Sequence, residues 1–206
     1  MNINWNYHIH TSYTHGKNSV AEIAEYCKKL GIEEIAITEH VHSGLSYKFE
    51  KLRFDILRAA QKYEINILTG VEAKILPNGL LDAPADILSK VDVIIGSIHG
   101  WPKNISLDHA YELLAKSPAT IIGHPQIINA EIIQSFIKHK KVIEISYKYP
   151  LSSVQLLLIQ KFPGLRLSLG TDAHQLLDIK NAQDYFTKLI KKYNFSNRLW
   201  RIGDKI

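Results

Sequence analysis

Residues 19–40 read SVAEIAEYCKKLGIEEIAITEH and hold one complete helix–strand unit with two polar residues at its far end. Ser19 is a side chain that caps helices, and Val20, Ile23, Ala24, Cys27 and Leu30 recur at the spacing of one helical face. Gly31 is the residue type that stops such a helix. The β-branched run Glu34–Thr38 then predicts a strand, and Glu39 and His40 stand where that strand ends. A strand delivering an imidazole at its carboxyl end is a unit built around chemistry as well as packing.

The same unit repeats along the chain. Strand-like runs fall near Ile3–Ile9, Ile65–Thr69, Val91–Ser97, Thr120–Gly123, Lys141–Ile145 and Leu165–Leu169. Helical patterns lie between them at Phe49–Tyr63, Leu107–Ala115, Ala130–His139, Ser153–Lys161 and Ile179–Tyr193. Leu52, Ile56, Leu57 and Ala60 are expected on the inner face of the second helix. Alternation of this kind predicts an α/β fold of parallel strands joined by right-handed crossovers. Seven strands, most of them ending in polar groups, suit a closed or nearly closed barrel, whose functional groups gather at the carboxyl ends of the strands.

Those ends read His8-Ile-His10-Thr11, Thr14-His15-Gly16, Thr38-Glu39-His40, Gly70-Val71-Glu72, Ser97-Ile98-His99-Gly100, Gly123-His124-Pro125 and Thr171-Asp172-Ala173-His174. Imidazole and carboxylate suit zinc, manganese and iron, so the recurrence predicts a multinuclear metal site. His8 and His10 are two apart on a strand, so their side chains leave by one face.

Composition narrows the setting. At 206 residues and 46% hydrophobic content, the chain can bury a full core without staples, and one domain over residues 1–206 is expected. Cys27 is the single cysteine, which excludes an internal disulfide framework and fits a reducing compartment. No run reaches the ~18 apolar residues of a membrane span, and the N-terminus has no apolar signal core, so a cytoplasmic protein without membrane partners is expected. A net charge of +5 favours anionic partners, phosphorylated metabolites or nucleic acid. The stretch from Lys180 to Ile206 carries seven basic and two acidic residues, most simply a solvated helix face.

His-x-His-Thr, Thr-Glu-His, Gly-x-Glu, Ser-x-His, Gly-His-Pro and Asp-Ala-His, in that order from Tyr7 to His174, resemble the motifs of the PHP (polymerase and histidinol phosphatase) family. The resemblance implies a distorted (β/α)7 barrel of the PHP type with two or three divalent ions, zinc, manganese or iron, that hydrolyses phosphate esters. Carried over by position, it implies that His8, His10, Glu72 and Asp172 surround one ion. Glu72 would bridge to a second ion held by His99 and His124, and His15, His40 and His174 would hold a third. Catalysis would run through Glu72, Asp172 and His99 as parts of that cluster. Thr14-His15-Gly16 followed by Thr38-Glu39-His40 is similar to the histidinol-phosphatase branch, whereas many other members carry aspartate where His15 stands.

Substrate contacts are sought among Lys17, Lys74, Lys103, Lys148, Trp101 and His42. Lys148 follows Glu144-Ile145-Ser146, similar to the family's Glu-hydrophobic-Asn segment with serine in place of asparagine. Loops at Gly44–Tyr47 and around Asn78-Gly79 and Pro84 are expected to overhang the site. His109 and His139 are expected on helix surfaces, and Cys27 in the core. The expected activity is hydrolysis of phosphate monoesters of a small metabolite, with histidinol phosphate leading. Hydrolysis of nucleotides or nucleic-acid ends is the alternative, and a metal-binding module without activity the second. The absence of an aromatic-basic stripe along one element favours the small substrate. Oligomeric state is not legible in the sequence.

Overall fold

A computed structural model describes residues 3–100 and 104–206. Trp101 and Lys103 therefore lie outside the described residues. Seven strands form one sheet in chain order, β1 (Trp5–Ile9), β2 (Glu34–Val41), β3 (Asn66–Lys74), β4 (Val93–Ser97), β5 (Ile121–Ile122), β6 (Val142–Ser146) and β7 (Arg166–Gly170). Each adjacent pair is parallel. Between them run α1 (Val20–Lys29), α2 (Phe49–Tyr63), α3 (Ala85–Leu88), α4 (Leu107–Lys116), α5 (Ala130–Lys138), α6 (Ser153–Gln160) and α7 (Leu176–Tyr193).

The sheet nearly closes on itself just past β7. Ile9 bridges Ala173 in parallel, and the His10 N–H donates to the Ala173 carbonyl at 2.9 Å. The Asn6 side chain spans the same seam, donating to Thr171 Oγ1 at 2.8 Å and accepting the Thr171 N–H at 3.2 Å. Asn6 and Thr171 are both buried, so this exchange satisfies polar groups that water cannot reach. The result is the expected α/β barrel of seven strands, with β1 and the residues after β7 as neighbours.

Local sequence explains most element boundaries. Ser19 caps α1 and exchanges hydrogen bonds with Glu22 in a capping box. α2 keeps the expected limits and buries the expected Leu52 and Ile56, together with Phe49 and Ala59. Leu57, expected inside, is 66% exposed. Phe49 and Ala59 centre the buried stripe on the side that packs on α1 and β3, which leaves Leu57 outside it. The strands β2 and β3 run on to Val41 and Lys74, so His40 and Glu72 sit within the ladder, paired in register. α7 begins at Leu176 instead of Ile179, and the loop after β3 folds into the short α3.

One basic residue of the C-terminal stretch is internal. Arg198 is buried and donates to the carbonyls of Ile159 in the last turn of α6 and of Phe162 and Leu165 just beyond it, at 2.7–3.1 Å. Among the described residues, no helix is long and apolar enough to cross a membrane.

Candidate metal centre

Glu72 is the hub of the barrel's carboxyl end. Its Oε1 lies 2.7 Å from His99 Nε2 and 2.8 Å from His124 Nε2. Its Oε2 lies 3.1 Å from His40 Nδ1, 3.3 Å from His8 Nε2 and 3.4 Å from His10 Nε2. β1 supplies His8, His10 stands just past its end, β2 supplies His40, and the turns after β4 and β5 supply His99 and His124. Asp172, after β7, reaches His10 Nε2 at 3.1 Å and His8 Nε2 at 3.7 Å.

This arrangement fits divalent cations. Glu72 Oε2, Asp172 Oδ1 and His10 Nδ1 are buried without a hydrogen-bond partner among the described residues. Buried polar atoms left unpaired cost about 1–3 kcal/mol each, unless something else satisfies them. His8 Nε2 and His10 Nε2 are 3.1 Å apart, and His99 Nε2 and His124 Nε2 are 3.3 Å apart. Imidazole nitrogens crowded round carboxylates are donors aimed at a common cation, and hard–borderline N/O sets suit zinc, manganese or iron. Among the described residues, three groups converge closely enough to share an ion: His8, His10 and Asp172; His10, His40 and His174; and His40, Glu72 and His99. His10 occupies the place in the second group that was expected for His15. His15 is exposed, with its ring centroid 5.2 Å from that of His40.

Protonation follows the same geometry. Burial pulls His8 down, but Glu144 and Glu72 outweigh it and raise it well above the ordinary value. Burial likewise opposes His10 and His124, which Asp172 and Glu72 raise. Burial lowers His40 and His174, keeping those imidazoles neutral. Burial raises Glu72, yet His8, His10, His124 and His40 hold it well below the usual carboxylate range. Burial also opposes Asp172, which His10 and His8 hold low. Protons and cations thus compete for the same nitrogens, so binding an ion releases protons.

Two carboxylates not singled out as site residues hold the frame. Glu144, on β6 and 1% exposed, takes His8 Nδ1 at 2.7 Å and accepts the His124 N–H at 2.6 Å. With its proton on Nδ1, His8 turns the Nε2 lone pair inward. Glu39 accepts the Thr11 N–H at 2.7 Å and also binds the Thr14 hydroxyl, pinning the loop that carries His15. The signal for Glu144 was a lone carboxylate inside the apolar run Val142–Ser146; for Glu39 it was the residue beside His40. Gly170 makes room: a Cβ there would lie 1.7 Å from Glu144 Oε1. His124 (φ 26°) and Asp172 (φ 49°) hold left-handed backbone, which non-glycine residues tolerate at functional sites when the surroundings enforce it.

A cavity of about 320 Å³ opens over the centre, lined by His40, His99, His124, Asp172 and His174 together with Gln126, Lys148 and Tyr149. Lys148 Nζ lies 3.3 Å from Asp172 Oδ2 and 5.6 Å over the Tyr149 ring. The other expected contacts are elsewhere. Lys74 and His42 face Asp82 at 3.4 Å and 3.5 Å, and Lys17 donates to Gln175 at 3.1 Å. The loops at Gly44–Tyr47 and Asn78–Pro84 do not line the cavity among the described residues. Sequence reading missed Tyr149 and Gln126, because neither residue type marks a site by itself.

A parallel barrel of seven strands with imidazoles and carboxylates at their carboxyl ends defines a class of metal-dependent barrel proteins. The chain belongs to the PHP domain family, whose model matches residues 6–196. It is 28% identical over 212 residues to a protein of Caldicellulosiruptor saccharolyticus named "Probable phosphatase", covering 93% of this chain and 88% of that protein. It is 29% identical over 194 residues to the DNA polymerase/3'-5' exonuclease PolX of Bacillus subtilis, covering 82% of this chain and 34% of that one. The chain thus spans about a third of the PolX length. Among solved structures, it resembles a Bacteroides vulgatus two-domain protein containing a predicted PHP-like metal-dependent phosphoesterase. That match has a TM-score of 0.51 at 16% identity, covering 91% of this chain and 56% of the other. A truncated 3-deoxy-D-arabino-heptulosonate 7-phosphate synthase of Thermotoga maritima matches equally well, at TM-score 0.51 and 12% identity over 92% and 88%. These likenesses concern the barrel, which hosts many chemistries.

Proposed function

We propose that the chain is a metal-dependent phosphoesterase that hydrolyses the monoesters of small phosphorylated metabolites. The observation carrying this reading is the ring of five imidazoles, His8, His10, His40, His99 and His124, within 3.4 Å of the buried Glu72 carboxylate. In this reading these residues, with His15, Asp172 and His174, hold two or three divalent ions, zinc, manganese or iron. Such ions supply a water nucleophile at neutral pH and neutralise charge on the transferring phosphoryl group.

The chain's own residues do the rest. Glu144 fixes the His8 tautomer, and Glu72 holds the imidazoles of five different chain positions in one shell. Lys148 at the cavity rim offers an ammonium to the phosphate oxygens, and the Tyr149 ring walls the space beside it. A cavity of about 320 Å³ matches a small ester, at the low end of ordinary ligand pockets (roughly 300–1,000 Å³). Similarity to proteins named probable phosphatases, over nearly the whole of both chains, supports the monoester. Histidinol phosphate leads the candidates through the Thr14-His15-Gly16 resemblance. The PolX likeness favours a second reading, hydrolysis at nucleic-acid ends.

The test is turnover of the chelator-treated, then zinc- or manganese-loaded protein on phosphomonoesters, histidinol phosphate among them, and on labelled oligonucleotides. Metal-restored monoester hydrolysis with a neutral-to-alkaline optimum is expected. Processive strand digestion with negligible monoester turnover would move the function to the second reading, and full activity after exhaustive chelation would refute both.

A further inference from the structure

A second cavity, larger than the one over the candidate metal centre, lies elsewhere on the chain. A cleft of about 770 Å³ lies between the start of α1 and one face of α2, with the Ser12–Tyr13 turn at its edge. Lys51, Asp55, Arg58 and Lys62 line it at helical spacing, so α2 presents three cations and one carboxylate in a row. The carboxylate is already engaged: Asp55 Oδ2 accepts from the Tyr13 hydroxyl at 2.7 Å and lies 3.4 Å from Lys51 Nζ. Aromatic rings stand beside the cations. Lys51 Nζ is 5.3 Å over the Tyr13 ring and Lys62 Nζ 4.7 Å over the Tyr63 ring, and both rings line the cleft. In one dimension no element showed a basic-aromatic stripe; the fold makes one by setting Tyr13 of the β1–α1 loop against α2.

We infer that this cleft binds nucleoside phosphates, its cations taking the phosphates and the Tyr13 and Tyr63 rings taking the bases. Alternating positive charge and ring faces is how single-stranded nucleic acid is held without sequence preference, the bases stacking on the rings. The volume, more than twice that over the metal centre, accommodates more than one ring. The site is separate from the candidate ligands but not remote in sequence. Tyr13 and His15 share one loop, which Glu39 pins, so an occupant of the cleft rests on the segment that carries His15. The inference goes beyond the monoester reading and does not depend on it.

Binding to the full-length, metal-loaded protein tests it, by calorimetry with two hydrolysis-resistant probes, thymidine 5′-phosphorothioate and a phosphorothioate-linked trithymidylate. The double variant Arg58→Glu, Lys62→Glu should bind the occupying probe about tenfold or more weakly, with a shallower salt dependence. Hydrolysis of para-nitrophenyl phosphate should be unchanged in that variant, and Asp55→Asn, which removes the stripe's negative charge, should tighten binding. Dependence on α2 for both probes identifies free nucleotides as ligands; dependence for the trinucleotide alone identifies a strand. Affinities indifferent to the α2 substitutions would overturn the inference. So would an acidic peptide of equal charge that binds as tightly and with the same dependence on α2.

Discussion

Glu144 grips His8 from beneath the metal centre, its Oε1 2.7 Å from His8 Nδ1 in a pocket closed to water. The other oxygen takes the backbone N–H of His124, so one carboxylate positions candidate ligands from two strand ends. Glu144→Gln leaves one oxygen for two donors and sets an amide NH2 against one of them. Ion affinity should fall about 10–100-fold, the usual effect of losing such a support. Competition against a chelator measures it, and unchanged affinity would remove Glu144 from the site.

Glu72→Gln removes the anion on which five imidazoles converge. The variant should lose at least one ion per chain and roughly a hundredfold or more in turnover. The fold should persist, because the core below the site is apolar and separately packed. Metal content, turnover and thermal unfolding on one preparation decide this. Wild-type values for all three would end the bridging role.

The barrel and its polar rim were legible in the sequence because each strand carries its own apolar run and most carry their own polar terminus. α2 was legible in its limits and in the burial of Leu52 and Ile56, but not in the outward turn of Leu57. Phe49–Ile56–Ala59 and Leu57–Ala60 are both helical stripes, and only contact with α1 and β3 chooses between them. α3 is four residues long, too short to show a period. The convergence of His8, His10, His40, Glu72, His99, Asp172 and His174 was legible; the grouping of His10, in place of His15, with His40 and His174 was not, since it depends on how strand ends meet across the barrel mouth. Lys74 and His42 looked like substrate contacts because each follows a ligand motif, but both face Asp82, from a loop without periodicity.

Gly170→Ala tests how closely β7 approaches Glu144. The added Cβ would stand 1.7 Å from Glu144 Oε1 and 2.9 Å from the His8 Cβ, so the carboxylate must move. Overpacking of this kind costs about 1–3 kcal/mol, and here it also disturbs the His8–Glu144 contact. A lowered Tm together with weakened ion binding is expected. Gly31→Ala serves as comparison: nothing lies within 4 Å of its Cβ, so it should lower Tm through its left-handed φ of 73° and leave ion binding alone. Equal effects of the two substitutions on ion affinity would dismiss the close-approach argument.

Cys27 gives a pH dependence independent of the metal centre. Its thiol is fully buried on α1, and burial pushes it from 9.0 up to about 12. The folded chain therefore keeps a proton that the unfolded chain releases, so deprotonation favours unfolding. The sign is a loss of stability as pH rises above 9.0, continuing until the folded thiol titrates near 12. The loss is at most about 1.4 kcal/mol per pH unit. Cys27→Ala lacks this component and carries instead a cavity cost that does not vary with pH. Urea unfolding of both proteins should show their stability difference shrinking by about 1 kcal/mol between roughly pH 8 and pH 10. The native thiol should also resist thiol reagents at about pH 8 until the chain is unfolded, because the thiolate is the nucleophile. A constant difference across that range, or rapid labelling of the native protein, would contradict the buried, protonated thiol.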